Sequence, residues 1–237
     1  MPKSVVKWRK VRSQQKSTPR LLQGLSGQGW ASVQLEAGDS ASLGRQLLDL
    51  ASILGTPQPT RGKALVDRLI PQKRDQAPPK SLSASAGLAE QPWHVDLAHC
   101  QVPAHYIALA CEHEGSSPVP TELAHWKNLL DIADYEAGHA EPFLVRNGRG
   151  SFYATMLARE QKFLRYDPGC MQPMTQAAKA LMRKLCGKGI DPIVRIDWQP
   201  GLAVIIDNWR MLHRRLDAHR AQDRVLLRVS VIGDSKR

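Results

Sequence analysis

Apolar positions along this chain come in short runs, most of them too short for helices. Gly29 to Gln34 (GWASVQ) reads as a first strand. Leu43, Leu47, Leu48, Ala51 and Leu54 then recur at three- and four-residue spacing, which predicts a helix capped by Asp39 or Ser40 and stopped by Gly55 and Pro57. Thr56 to Ala86 is polar and proline-containing, with one apolar segment around Leu65 to Ile70. It is long for a structureless connection and reads as a functional loop or lid. Within it Ser81, Ser83 and Ser85 alternate, so their hydroxyls share a face if the piece is extended.

The second half is richer in strands. Ala104 to Cys111 is an apolar run that reads as a buried strand. Thr121 to Gly138 reads as a helix with Leu123, Trp126, Leu130 and Tyr135 facing the core. Pro142–Asn147 and Ser151–Met156 flank Gly148-Arg149-Gly150 as a hairpin. Phe163 to Asp167 is a short strand closed by Pro168-Gly169, and Thr175 to Cys186 a helix stopped at Gly187. Ile193–Trp198, Leu202–Ile206 and Val225–Ile232 complete the pattern, with Pro200-Gly201 turning between the first two. Short strands punctuated by Gly and Pro, with a few helices, predict a mainly β fold with flanking helices: a double-stranded β-helix, or jelly roll.

Composition narrows the picture. At 237 residues and 42% hydrophobic, the chain can bury one substantial core. The organisation expected is a basic, flexible arm over 1–20 and a single domain over 21–237. No apolar run is long enough to span a bilayer, and the basic N-terminus lacks the apolar stretch of a secretory signal. Cys100, Cys111, Cys170 and Cys186 are scattered without a C-x-x-C pair, which points to a reducing cytoplasm and away from a zinc ribbon or disulfide scaffold.

The formal net charge is +11. Lys3, Lys7, Arg9, Lys10, Arg12, Lys16 and Arg20 sit in the arm with no acid among them. They read as a solvated tail, with a tether for nucleic acid or another polyanion as the alternative. A second basic group, Arg210, Arg214, Arg215, Arg220, Arg224 and Arg228, surrounds His213 and suggests a site that handles anions.

The chemistry gathers around Pro92-Trp93-His94-Val95-Asp96-Leu97. In an extended segment residues i and i+2 point the same way, so His94 and Asp96 present an imidazole and a carboxylate to one point. These are two of the three ligands of a 2-His-1-carboxylate facial triad, the arrangement that suits non-haem Fe(II). His213, where the strand Val204–Ile206 leads through the polar turn Asp207-Asn208-Trp209-Arg210, is the candidate for the third. Arg224 and Arg228 share a strand face with the apolar Leu226 between them. Burying either requires an anionic partner, and a planar guanidinium fits a carboxylate through two parallel N–H bonds.

With these residues the chain resembles the Fe(II)/2-oxoglutarate-dependent dioxygenases of the taurine dioxygenase type, which include clavaminate synthase and gamma-butyrobetaine hydroxylase. The matching stretches are HVD at 94–96, Thr121 at the family's offset from the first histidine, DNWRMLHRR at 207–215, LRYDPG at 164–169, and Arg224 with Arg228. The resemblance spans roughly residues 45–232. It implies that His94, Asp96 and His213 bind Fe(II), and that Arg224, helped by Thr121, pairs with the distal carboxylate of 2-oxoglutarate. It implies that Arg228 reaches the other end of the co-substrate or an anionic group of the substrate. It implies consumption of O2, decarboxylation of 2-oxoglutarate to succinate, and oxidation of a C–H bond. Asp at position 96, where a halogenating relative would have Gly or Ala, favours oxygen insertion or a related oxidation. The substrate expected is a small charged molecule such as an amino acid or biosynthetic intermediate. Ser83, Ser85, Arg165 and Asp167 are the candidate contacts to it. An oxygenase for nucleic acid or protein, or a non-catalytic polyanion-binding jelly roll, are the alternatives.

Overall fold

The computed structural model describes residues 18–233, apart from 61, 80, 159–162 and 187–189. Most of the basic arm therefore lies outside the described residues, while its last three positions begin a helix, α1 (Thr18–Gln28). β1 (Trp30–Gln34) follows, then α2 (Ser40–Ser52), whose first turn is capped by the Asp39 side chain accepting from Ser42 N. β2 (Gly55–Gln58), β3 (Asp67–Leu69) and a short helix α3 (Leu82–Ala86) occupy the stretch read as a loop. β4 (Tyr106–His113), β5 (Thr121–His125), α4 (Ile132–Ala140), β6 (Phe143–Val145), β7 (Phe152–Ala154), β8 (Met171–Pro173) and α5 (Gln176–Cys186) come next. The chain ends in β9 (Val194–Ile196), β10 (Leu202–Asp207), β11 (Met211–Arg215) and β12 (Val225–Gly233).

Among the described residues the strands form a six-stranded sheet in the order β1-β10-β4-β12-β2 with β3 also on β12, and a three-stranded sheet β11-β5-β9. A further sheet, β7-β6-β8, lies alongside. All the pairings are antiparallel. Period-two alternation sorts the side chains into layers. Ile107, Leu109, Val204, Ile206 and Leu226 of the large sheet meet Leu123, Val194, Ile196 and Met211 of the smaller one. The opposite face of the large sheet (Ala108, Ala110, Ala203, Ile205, Leu227, Val229) is covered by α1 and α2 through Leu21, Leu25, Leu43 and Leu47. A third cluster joins Phe143, Val145, Leu181 and Leu185 to Trp93, Val95 and Leu212, which lie beside the histidine ligand candidates. The architecture is the expected jelly roll with helices packed outside.

Three local expectations need correction. The predicted helix over 121–138 begins as strand β5, which is paired on both sides, to β11 and β9. The helix starts only at Ile132, where Asp131 and Asp134 form a reciprocal capping box. Thr121 is thus a strand residue and caps no helix. Residues 163–167 form no ladder; Leu164 makes a single bridge to Leu157. Ser81 caps α3 by accepting from Ala84 N, so Ser83 and Ser85 lie on a helix and diverge instead of sharing a face.

Candidate active site

His94 and His213 are brought together by backbone pairing. Each donates its N–H to the other's carbonyl, at 3.1 and 3.0 Å, an isolated antiparallel bridge between the motif segment and β11. The two rings sit with centroids 4.3 Å apart and tilted by 53°. Asp96 Oδ1 lies 3.7 Å from His94 Nε2 and 3.8 Å from His213 Nε2. One ligand atom from each of the three falls within 4.8 Å of the others. Both histidines are buried. His94 Nδ1 lies 2.9 Å from Pro92 O. It can only donate to a carbonyl, which leaves Nε2 with its lone pair facing Asp96 and His213. Burial and the neighbouring His213 hold His94 down to about 3, so its ring is neutral, the form a metal needs. Burial alone would raise the Asp96 carboxyl, but Arg228 and the two histidines outweigh it and keep Asp96 below the usual carboxylate range.

The position of Asp96 is set by a residue that the sequence pattern did not single out. Asn208, fully buried in the turn between β10 and β11, accepts from Asp96 N at 2.8 Å and donates to Asp96 O at 3.0 Å and Ala104 O at 2.8 Å. Immediately after Asp96 the backbone turns sharply at Leu97, whose φ of 58° is left-handed. The turn that follows is held by Arg165, whose guanidinium donates to the carbonyls of Ala98, Cys100 and Gln101. Arg165 is 2% exposed and packs against Phe152 and Phe163, so its guanidinium is committed to a loop and not presented to solvent.

A second polar corner lies at the start of β5. Arg224 is buried and donates from Nη1 to Val119 O at 2.9 Å. Its Nε is buried without a partner. Burial, then the nearby Arg215, brings Arg224 down to about 10. Arg215 itself is directed at the carbonyls of Gly87, Leu88, Ala89 and Leu216. Thr121, which pairs with Arg215 across the sheet, accepts from Trp198 Nε1 at 3.0 Å and so keeps its own hydroxyl proton to give. Two buried guanidinium groups beside a free hydroxyl proton make a cradle that asks for a carboxylate.

Of the other basic residues near His213, most serve the fold. Arg210 pairs with Asp207 at 2.6 Å and caps the carbonyl end of α1 through Leu25 O and Ser26 O. Arg214 pairs with Glu122 at 2.7 Å and Glu90, its guanidinium 4.5 Å from the centre of the Trp93 ring. Arg220 is exposed. Arg228 does not point at the Arg224 corner: it spans Asp96 Oδ2 and Asp67 Oδ2, each at 2.9 Å. Of the candidate substrate contacts, Ser85 is exposed and bonded to Leu82 O, and Ser83 sits half-buried on α3. Asp167 faces the centre: burial raises its carboxyl to about 6, with Asp96 adding to the rise. It is held by accepting from Gly169 N at 2.7 Å.

A His-Asp-His cluster with both histidines buried sits in the jelly roll together with a buried arginine that has no acid partner among the described residues, and the fold that holds them is one shared with solved non-haem iron oxygenases. The family described as "Taurine catabolism dioxygenase TauD, TfdA family" matches residues 133–230. That stretch carries His213, Arg224 and Arg228; His94, Asp96 and Thr121 precede it. Among curated protein sequences none matches the chain. The fold is shared with asparagine oxygenase, solved alone (TM-score 0.73, 23% identity, 92% of this chain and 79% of that one). It is shared equally with asparagine oxygenase in complex with Fe(II), 2S,3S-3-hydroxyasparagine and succinate (TM-score 0.71, 22% identity, 92% and 79%). The non-haem iron oxygenase OrfP with Fe and alpha-ketoglutaric acid gives a TM-score of 0.70 at 17% identity over 94% of this chain and 81% of that one.

Proposed function

We propose that this protein is an Fe(II)/2-oxoglutarate-dependent dioxygenase that hydroxylates a C–H bond of a free amino acid or a small molecule built on one. The observation that carries the reading is the pairing of two incomplete sites. Three atoms able to ligate a metal converge, and a buried arginine has no counter-charge among the described residues. Fe(II) and a dicarboxylate complete both.

The donor set fits the metal. Two imidazoles and one carboxylate leave coordination positions open, as a metal that must take up further ligands requires. His94 Nε2, Asp96 Oδ1 and His213 Nε2 would hold it. When bound, Fe(II) supplies the activation of dioxygen that drives oxidative decarboxylation of 2-oxoglutarate and oxygen insertion into the substrate.

The chain's own part is placement. Arg224 takes the distal carboxylate of 2-oxoglutarate through its planar N–H fork, and Thr121 donates the hydroxyl proton that Trp198 leaves free. Asn208 fixes the backbone that carries Asp96, and Pro92 O fixes the tautomer of His94. Asp167, an acid raised by burial beside Asp96 and His213, is placed to receive the ammonium group of an amino-acid substrate, which would return it to the carboxylate form. An amino acid also agrees with the hydroxyasparagine and the (3S)-hydroxy-L-Arg bound to structural neighbours.

Succinate formation from 2-oxoglutarate, measured with Fe(II) and O2 across the proteinogenic amino acids and small derivatives, tests the proposal. The expected result is one or a few compounds that stimulate succinate formation and are recovered with one added oxygen atom. Absence of any iron-dependent turnover of 2-oxoglutarate, stimulated or not, would overturn it.

A further inference from the structure

The stretch between α2 and α3 delivers an acid to the metal site. β3 pairs with β12 so that Asp67 stands directly opposite Arg228. The alternation around it is clear: Val66 packs against Gly44 of α2 and Leu227, whereas Leu69 joins the layer between the two main sheets. Period two then turns Asp67 inward with Leu69. Asp67 Oδ2 accepts from Arg228 Nη2 at 2.9 Å and from Nε at 3.2 Å. The Thr60 hydroxyl donates to the same oxygen. The remaining edge of the guanidinium gives Nη1 to Asp96 Oδ2 at 2.9 Å.

We propose that Asp67 is a positioning residue for the metal: through Arg228 it fixes which oxygen of Asp96 faces the iron. This rests on the metal site proposed above. A carboxylate turns about its last bond with only a broad two-fold preference, so something outside Asp96 must choose the orientation. Arg228 does so by taking Oδ2, which leaves Oδ1 toward His94 and His213. Arg228 is a long side chain, and a single acid would leave it free to pivot. Asp67 on the opposite edge of its fork removes that freedom. Asp67 also offsets the Arg228 charge, so the negative charge of Asp96 remains available to a divalent cation. Asp67 touches neither substrate nor reacting atoms; it acts through Arg228.

Co(II), the metal alone, is the probe, titrated into the intact protein with its visible absorption and its Kd as readouts. Asp67→Ala is expected to weaken Co(II) binding by about 10- to 100-fold, the usual effect of losing a group that orients a ligand, and to alter the absorption band. Asp67→Asn keeps an acceptor for Arg228 but loses the charge, so it should retain the wild-type band with a smaller loss of affinity. A folded Asp67→Ala protein with wild-type Kd and spectrum overturns the assignment. If that variant does not fold, Asp67→Asn decides alone: weakened binding supports it, wild-type binding overturns it. Wild type and His94→Ala bracket the measurement. If wild type binds no Co(II), the metal reading itself falls and this one with it. If wild type binds and His94→Ala does not, only the role of Asp67 is at stake.

Discussion

The side-chain amide of Asn208 exchanges two hydrogen bonds with the backbone of Asp96, although more than a hundred residues separate them in the chain. A third bond, to Ala104 O, ties the same amide to the start of β4. The turn between β10 and β11 thereby holds the segment that carries the Asp96 carboxylate and the first residues of the central strand as one unit. Asn208→Ala strands one N–H and two carbonyls in a buried setting. Its expected cost is about 3 kcal/mol of stability, at roughly 1–3 kcal/mol per orphaned group before relaxation. Urea denaturation of the metal-free protein measures it, and a loss below about 1 kcal/mol would mean that water replaces the amide.

Arg224 should govern the co-substrate and not the metal. Arg224→Lys keeps a positive charge but loses the planar fork, so KM for 2-oxoglutarate is expected to rise about 10- to 100-fold, or roughly 1.4–2.7 kcal/mol. Co(II) affinity should be unchanged. Thr121→Val removes the donated proton and orphans Trp198 Nε1, with a smaller rise in KM, of roughly 3- to 10-fold, the worth of about one hydrogen bond. Steady-state kinetics with 2-oxoglutarate as the varied reactant check both. Equal effects on metal binding would mean that the corner supports the fold instead.

Asp167 makes a prediction in pH. Its native-state carboxyl is raised to about 6 from an ordinary 3.8, chiefly by burial. The native protein therefore holds this proton more tightly than the unfolded chain. The stability it favours is present below the unfolded value and is lost as pH rises from about 4 through about 6. Asp167→Asn, which can still accept from Gly169 N, should raise Tm at pH 8 by about 5 °C and leave it unchanged near pH 4. The same substitution should abolish the rise in kcat/KM for the amino-acid substrate through pH 6. Thermal melts and rate profiles across that range read the two effects separately. A variant that is no more stable at pH 8 would show that Asp167 is solvated in the native state.

Arg165 is expected to matter through the loop it holds. Arg165→Met preserves the packing against Phe152 and Phe163 but frees the carbonyls of Ala98, Cys100 and Gln101. Stability should fall by about 2–4 kcal/mol, since hydrogen bonds to a charged donor are worth roughly 1.5–3 kcal/mol each and water recovers part. A loss of substrate affinity with stability intact would instead make Arg165 a substrate contact.

How much of this could be read from the chain depended on whether the signal was local. His94 and Asp96 were legible because their i, i+2 spacing means the same thing in any extended segment. The strands Tyr106–His113 and Val225–Gly233 were legible because burial on both faces makes them mostly apolar, with only Glu112, His113, Arg228 and Ser230 polar among the two. Thr121–His125 was read as helix because Leu123, Trp126 and Leu130 fall at helical spacing. The ladders to β11 and β9, which are invisible locally, decide otherwise. Asp67 went unread for a similar reason: three residues of strand inside a proline-containing stretch carry little pattern, and only the pairing with β12 gives the acid its meaning. The basic group around His213 suggested a site for anions. Once pairings are visible, Arg210 and Arg214 serve the fold through acids and Arg215 through carbonyls, and Arg224 stands apart because its buried Nε meets no partner among the described residues.

The central claim is that residues from two distant segments share one metal beside a bound oxo-diacid. Anomalous diffraction from crystals grown with Mn(II) and 2-oxoglutarate in the absence of O2 tests it most directly. The account predicts one strong peak within bonding distance of His94 Nε2, Asp96 Oδ1 and His213 Nε2, with the distal carboxylate of 2-oxoglutarate on Arg224. A peak elsewhere, or none at these three atoms while the crystal is loaded with metal, would contradict it.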